Sequence, residues 1–297
     1  MALPSYATPV QRTYYYAYLF FCGVVFFFLI APLIAIIPIS FSVSPFMVFT
    51  DEMLTWPPDP DAWSLRWYKN MIGNCSADVV SSTVPCSNKW MIGTVNSFFI
   101  GFVATFIATT LGTLAALGLS RPHMPYKGLI MAILISPMIV PLIITAAGMF
   151  FFYARINLVY SFTGIILAHV ALATPFVVIT VTATLVGFDM NMVKASQSLG
   201  ARPVRTFFKV IMPLILPGVI SGALFAFITS FDEVVIVMFM ASLDQLTIPK
   251  QMWAGIRQEI SPVILCMATC LVVLSILLLT TVELLRRRSE KLRGITS

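Results

Sequence analysis

Between Ala17 and Phe41 the sequence runs AYLFFCGVVFFFLIAPLIAIIPISF without one charged residue. A helix that crosses a bilayer needs ~20 mostly apolar residues, and this run exceeds that length. It is also too long for the apolar core of a signal peptide and lacks a convincing small-residue cleavage site, so it reads as an anchor that stays in the mature chain. Further apolar runs lie at 91–119, 127–153, 161–186, 210–231 and 262–285. They are apolar all round, whereas the strands of a membrane barrel alternate polar and apolar residues. The expected fold class is therefore an all-α integral membrane protein with six transmembrane helices. Composition agrees: 59% of the 297 residues are hydrophobic and 10% charged, against roughly 25% charged in soluble domains.

Six crossings put both ends on one side, and Lys and Arg say which. With the ends inside, the inner segments carry Arg12, Arg121, Lys127, Lys194, Arg202, Arg205, Lys209, Arg286, Arg287, Arg288, Lys291 and Arg293, two thirds of the 18 basic residues. The outer loops hold Arg66, Lys69, Lys89, Arg155, Lys250 and Arg257. By the positive-inside rule both termini are expected in the cytoplasm. The formal net charge of +6 is then a topology signal and not a nucleic-acid surface. The chain divides into a tail, first span and long outer loop (1–90), a core of five spans (91–286) and a basic tail (287–297).

The outer segment 42–90 is rich in Pro, Asp, Ser and Trp. A short amphipathic helix is expected near 64–71, with Trp63, Trp67 and Tyr68 at the headgroup level that aromatic rings favour. Cys75 and Cys86 share this loop, where a loop-closing disulfide and two free thiols both remain open. Cys22, Cys266 and Cys270 fall inside spans, as small hydrophobes do. No Cys or His spacing suits a metal. Inside the spans, Pro137, Pro141 and Pro175 each remove a backbone hydrogen bond and tend to kink a helix. His169 reads as a hydrogen-bonded packing residue ahead of a proton relay, and Glu283 as a partner of the basic cluster that follows it. A second short helix is expected at 251–259, with Ser261 capping the sixth span and Pro262 in its first turn.

One segment breaks the pattern. Residues 194–213 read KASQSLGARPVRTFFKVIMP, polar and basic in the middle of an apolar chain. Met192, Ala195, Ser196 and Leu199 recur at helical spacing and share a narrow, small, mildly apolar face. Gly200 suits the left-handed residue that ends a helix, and Pro203 the first turn of the next. The product is helix, elbow, helix on the cytoplasmic side. Residues alone leave two readings open: a connector lying on anionic lipid, or a knob that enters a groove on another protein.

The segment resembles the EAA loop of the inner-membrane permease subunits of ABC importers, whose pattern is Glu-Ala-Ala, three residues, Gly, nine residues, Ile-x-Leu-Pro. Ala195 and Ser196 take the two Ala places, Gly200 the Gly, and Val210, Met212 and Pro213 the places of Ile, Leu and Pro. SFDEVVIVMFM and LTIPKQMWAGIRQEISP also look like the second permease of spermidine/putrescine-type transporters. The resemblance implies a type I importer permease whose coupling loop, 189–213, contacts a cytoplasmic ATPase through Met192, Lys194, Ala195, Ser196, Leu199, Gly200, Arg202 and Pro213. It implies a bacterial inner-membrane location, a different sister permease, two ATPase subunits that hold ATP and Mg, and a periplasmic solute-binding protein. The chain departs from the pattern once, with Lys194 where the family has Glu.

Asp232 and Glu233 are an adjacent acidic pair at the outer end of the fifth span. Carboxylates near hydrocarbon face water, a partner charge or a substrate. Two readings stand for them: a stop for a cationic solute along its path, or helix-end residues bonded to neighbouring backbone, Lys250 or Arg257. No GxxxxGK[ST] cradle for ATP phosphates occurs, so the chain is expected to be non-catalytic and to bind no cofactor itself. The expected function is a permease subunit moving a polyamine or similar small cationic solute inward. A permease for opines or other small organic solutes, or a stand-alone secondary transporter, is the alternative; no internal repeat supports the latter.

Overall fold

The computed structural model describes residues 8–57, 59–74, 88–121, 123–186, 189, 191–258 and 261–292. Among them the helices are α1 (Pro9–Ile39), α2 (Asp51–Leu54), α3 (Arg66–Met71), α4 (Lys89–Leu119), α5 (Lys127–Ile139), α6 (Leu142–Arg155), α7 (Phe162–Val186), α8 (Asn191–Ser198), α9 (Pro203–Thr206), α10 (Met212–Phe231), α11 (Val235–Met240), α12 (Ile248–Gln258) and α13 (Val263–Leu292). A π-helical turn, Phe207–Ile211, joins α9 to α10, so Pro203–Phe231 runs as a single span. Among the described residues five helical stretches are long and apolar enough to cross a membrane: α1, α4, α7, Pro203–Phe231 and the first part of α13.

The sixth expected span is broken. α5 and α6 meet at 102°, and the sequence supplies the cause. Pro141 has no N–H to give to the helix and crowds the residue before it out of the α region. Val140 is accordingly extended, with φ −71° and ψ 134°, and α6 restarts directly after Pro141.

The described residues of Met1–Asn88 and Gly255–Ser297 form one compact unit, those of Lys89–Ala254 another. In the first, α1 opens with a capping box: the Thr8 hydroxyl accepts from Gln11 N–H while the Gln11 amide oxygen accepts from Thr8 N–H. None of its residues is buried, as suits a helix whose apolar surface meets lipid chains. α13 packs on α1 and α3, and Ser261 Oγ accepts from Val263 N–H at its start, 3.3 Å. The described residues between α1 and α4 fold around Trp67, which is fully buried and donates Nε1–H to Ser42 O at 2.9 Å. Arg66 lies over its ring, 4.4 Å from the centroid. Tyr68 hydroxyl meets Ser40 Oγ at 2.7 Å, and Cys266 Sγ donates to Ser40 O at 3.3 Å. The expectation for Trp67 was a ring at the headgroups; with a backbone carbonyl to take its indole N–H, the ring is instead the core of this segment.

In the second unit α4, α7 and α10 pack against one another through small side chains. Ala104, Ala108, Ala116, Ala168, Ala173 and Ala226 are buried completely. A Cβ at Gly112 would stand 2.6 Å from Val177 Cβ, and one at Gly222 would stand 2.5 Å from Thr180 Oγ1. Gly218 is equally tight against Thr184. Membrane helices attract one another by close contact and not by hydrophobic exclusion, so small residues at the crossing allow the backbones to approach. His169 of α7 holds α10 by a hydrogen bond between its Nδ1 and Ser230 Oγ, 2.8 Å, in keeping with the packing role expected of it.

Candidate coupling elbow and outer acidic segment

α8 begins at a turn in which Asp189 Oδ1 accepts from Asn191 N–H, 2.9 Å. It ends in a Schellman motif, Ala201 N–H to Ser196 O at 3.1 Å and Gly200 N–H to Gln197 O at 2.9 Å. That closure needs a left-handed residue after the helix, and Gly200 supplies it with φ +77°. The chain then turns through extended Arg202 and enters α9 with Pro203 at the first position.

No residue of α8 is buried. Leu199 is 88% exposed and Met192 48%, with Ala195 and Lys194 exposed between them. Ser196 belongs to the same stripe by spacing but turns back: its hydroxyl meets Thr206 Oγ1 at 3.0 Å, and Thr206 is buried. It therefore fastens the elbow while Met192, Ala195 and Leu199 present the open face. Arg202, Arg205, Lys209 and Pro213 are exposed along the next turns. All the charged residues described from 191 to 213 are basic, so this surface is a cationic one on which Met192, Leu199, Val204 and Phe208 stand exposed.

At the other end of α10 the two acids part company. Asp232 caps the helix through its backbone, N–H to Ile228 O at 3.0 Å, and its side chain is exposed. Glu233 is buried, and its Oε1 accepts from Ile236 N–H at 2.9 Å. Burial pushes its carboxyl up, against the opposing pull of the Ile236 and Val235 N–H groups; neighbouring Asp232 pushes it the same way as burial. Lys250 goes to neither acid. Its Nζ donates to Val237 O at 3.3 Å and Ala241 O at 3.0 Å, and burial lowers its pKa.

Sequence reasoning missed α11, because VIVMFM is a short continuous apolar run and such runs have no period to read. Also unforeseen was the set of groups that holds the irregular stretch after it. Asn96 of α4 donates Nδ2–H to Asp244 O and Leu246 O at 2.8 and 2.9 Å, and Ser97 Oγ accepts from Ile248 N–H at 2.8 Å. An Asn-Ser pair inside an apolar span was the available signal. Cys75 and Cys86 lie outside the described residues, as does the side chain of Glu283. Among the described residues no group of three or more His, Cys, Asp or Glu gathers as a metal site would require.

The sequence profile described as "Binding-protein-dependent transport system inner membrane component" matches residues 108–291. The spermidine/putrescine transport system permease protein PotC of Haemophilus influenzae is 28% identical over 91% of this chain and 96% of its own length; that of Escherichia coli K12 is 28% identical over 93% and 95%. The putrescine transport system permease protein PotI of Escherichia coli K12 is 28% identical over 82% and 81%. A bacterial ABC transporter crystal structure, described as involved in import of the acidic polysaccharide alginate, superposes with TM-score 0.70 at 14% identity, covering 96% of this chain and 99% of that one. It shares the fold. With its multiple spans and a matching family profile over more than half its length, the chain is a multi-pass inner-membrane permease of the ABC importer kind and belongs to the binding-protein-dependent transport system inner membrane component family.

Proposed function

We propose that this permease serves an ATP-driven importer that carries a polyamine, or a similar small cationic or nitrogenous solute, into the cytoplasm. It pairs with a different sister permease, takes solute from a periplasmic binding protein, and is driven by two cytoplasmic ATPase subunits that hold ATP and Mg. Both termini lie in the cytoplasm, and α5 with α6 counts as one broken crossing. The observation that carries this reading is the elbow. A helix with no buried residue, closed by Gly200 and fastened by Ser196 to Thr206, offers Met192, Ala195 and Leu199 to a groove on another protein. Lys194, Arg202, Gly200 and Pro213 complete that contact. The solute class is supported by the polyamine transport named for the PotC and PotI relatives and by the exposed carboxylate of Asp232 at the outer end of α10.

The test is co-purification of the tagged protein in mild detergent, wild type beside Gly200→Asp. An ATPase and a second permease accompany the wild type, and the ATPase alone is lost from the variant. A wild type that purifies without either removes the importer reading. For the solute, labelled putrescine accumulates in vesicles holding the whole assembly only when ATP is inside the cytoplasmic compartment. Asp232→Asn weakens that uptake while assembly survives; undiminished uptake by Asp232→Asn removes the carboxylate from the path.

A further inference from the structure

α11 is six residues long, too short to be stable through its own hydrogen bonds. Yet Ile236, Val237 and Met240 are completely buried, and the helix packs against α6 and α7. Something must fix both its ends, because a helix terminus in a dry environment leaves N–H and C=O groups unmet. At the first turn the acceptor is Glu233 Oε1, 2.9 Å from Ile236 N. At the last turn the donor is Lys250 Nζ, which reaches Val237 O and Ala241 O. Tyr160 N–H adds a third tie, to Met240 O at 2.9 Å. Asp232, one residue before Glu233, takes no part in this arrangement and faces solvent.

We propose that Glu233 and Lys250 are positioning residues that pin α11 from its two ends, so that Asp232 is the only carboxylate of the pair left to meet a cationic solute. The transport half of this statement rests on the importer reading above; the pinning half does not. Glu233 then acts through its acceptor oxygen and not through its charge, and a glutamine can replace it. Lys250 acts as a donor to carbonyls, which an arginine can also be.

The experiment uses the complete importer in membrane vesicles with labelled putrescine as probe, alongside a labelling assay that needs no transport. For the second, Val237→Cys is introduced with the native cysteines replaced, and its reaction with a small maleimide is timed. E233A and K250M expose Val237→Cys and raise the labelling rate roughly tenfold, as expected when a buried backbone group loses its partner. E233Q and K250R keep it protected. In uptake, E233A lowers Vmax with little change in KM, E233Q rescues most of that loss, and D232N raises KM. Equal labelling in all backgrounds, or E233Q as damaged as E233A in both assays, overturns the proposal. If putrescine is not taken up by the wild type but the labelling pattern holds, the pinning stands and the solute half of the proposal is refuted, while the importer reading is judged separately by the co-purification above.

Discussion

Replacing Gly200 isolates one physical cause. Its φ of +77° lies in the left-handed region, and a Cβ added there would meet nothing within 4 Å. Any cost of Gly200→Ala is therefore local backbone strain with no clash against the rest of the molecule, about 1–2 kcal/mol for an ordinary L-residue. Asn tolerates this region better and costs less. The strain falls on the two hydrogen bonds that close α8, Ala201 to Ser196 and Gly200 to Gln197. No residue of α8 is fully buried, so the Ser196 to Thr206 contact and the packing of α8 on α9 and the π turn are what hold it in place when the closure loosens. A cost of that size lowers the population of the closed elbow relative to open forms by a factor of about 5–30. The assay is solute-stimulated ATPase activity of the reconstituted assembly, measured beside the melting temperature of the permease. Stimulation should fall in the order Gly, Asn, Ala, Val while the melting temperature stays level, because the elbow is not part of the α4, α7, α10 core. Adding Ser196→Ala to Gly200→Ala should deepen the loss. Full stimulation in Gly200→Val would refute the reasoning, as would a melting temperature that falls in step with activity.

The remaining expectations concern the bundle and its outer end. Gly112→Ala should destabilise the permease by about 1–3 kcal/mol through overpacking on Val177, whereas Gly118→Ala, with nothing within 4 Å, should be neutral or mildly stabilising in a detergent melt; Val177→Ala should recover part of the Gly112→Ala loss. Ser230→Ala should cost about 1–3 kcal/mol by leaving buried His169 Nδ1 without its partner, and a double-mutant cycle with His169→Phe should show strong coupling; additive losses would dismiss the bond. Burial holds the Glu233 carboxyl above its ordinary 4.5. As pH rises, the unfolded chain loses that proton first, so the group favours the folded state at low pH and turns against it from about 4.5 up through its raised folded value. Melting temperature should thus fall with pH across that window in the wild type more than in Glu233→Gln, and parallel curves would count against the assignment.

Much of this architecture was legible because a bilayer imposes length and polarity on a sequence so strictly. The runs at 91–119 and 161–186 differ little from α4 and α7, and the elbow could be placed because Gly and Pro carry backbone meaning at fixed offsets. What escaped was contact made at a distance in sequence. Ser196 looked like part of an open stripe, since helical spacing is blind to Thr206 ten residues on. Trp67 looked interfacial because the Ser42 carbonyl that receives its N–H is invisible to local pattern. Asp232 and Glu233 looked like a pair, and only the position of Ile236 N–H distinguishes them. The break at Val140 was foreshadowed by Pro141, but a kink and a 102° turn have the same signature in sequence.

The uninterrupted course of Pro203–Phe231 has a mechanical meaning. Its 29 residues make a strut roughly 40 Å long at 1.5 Å per residue, one end beside the elbow and the other at Asp232. Under the coupling proposed above, a tilt imposed at Pro203 is carried along this one span toward Phe231. The close crossing of Gly218 and Gly222 on α7 is where this span has least room to slide, and the π turn at Phe207–Ile211 and Pro217 within α10 are where its regular hydrogen-bond ladder is interrupted.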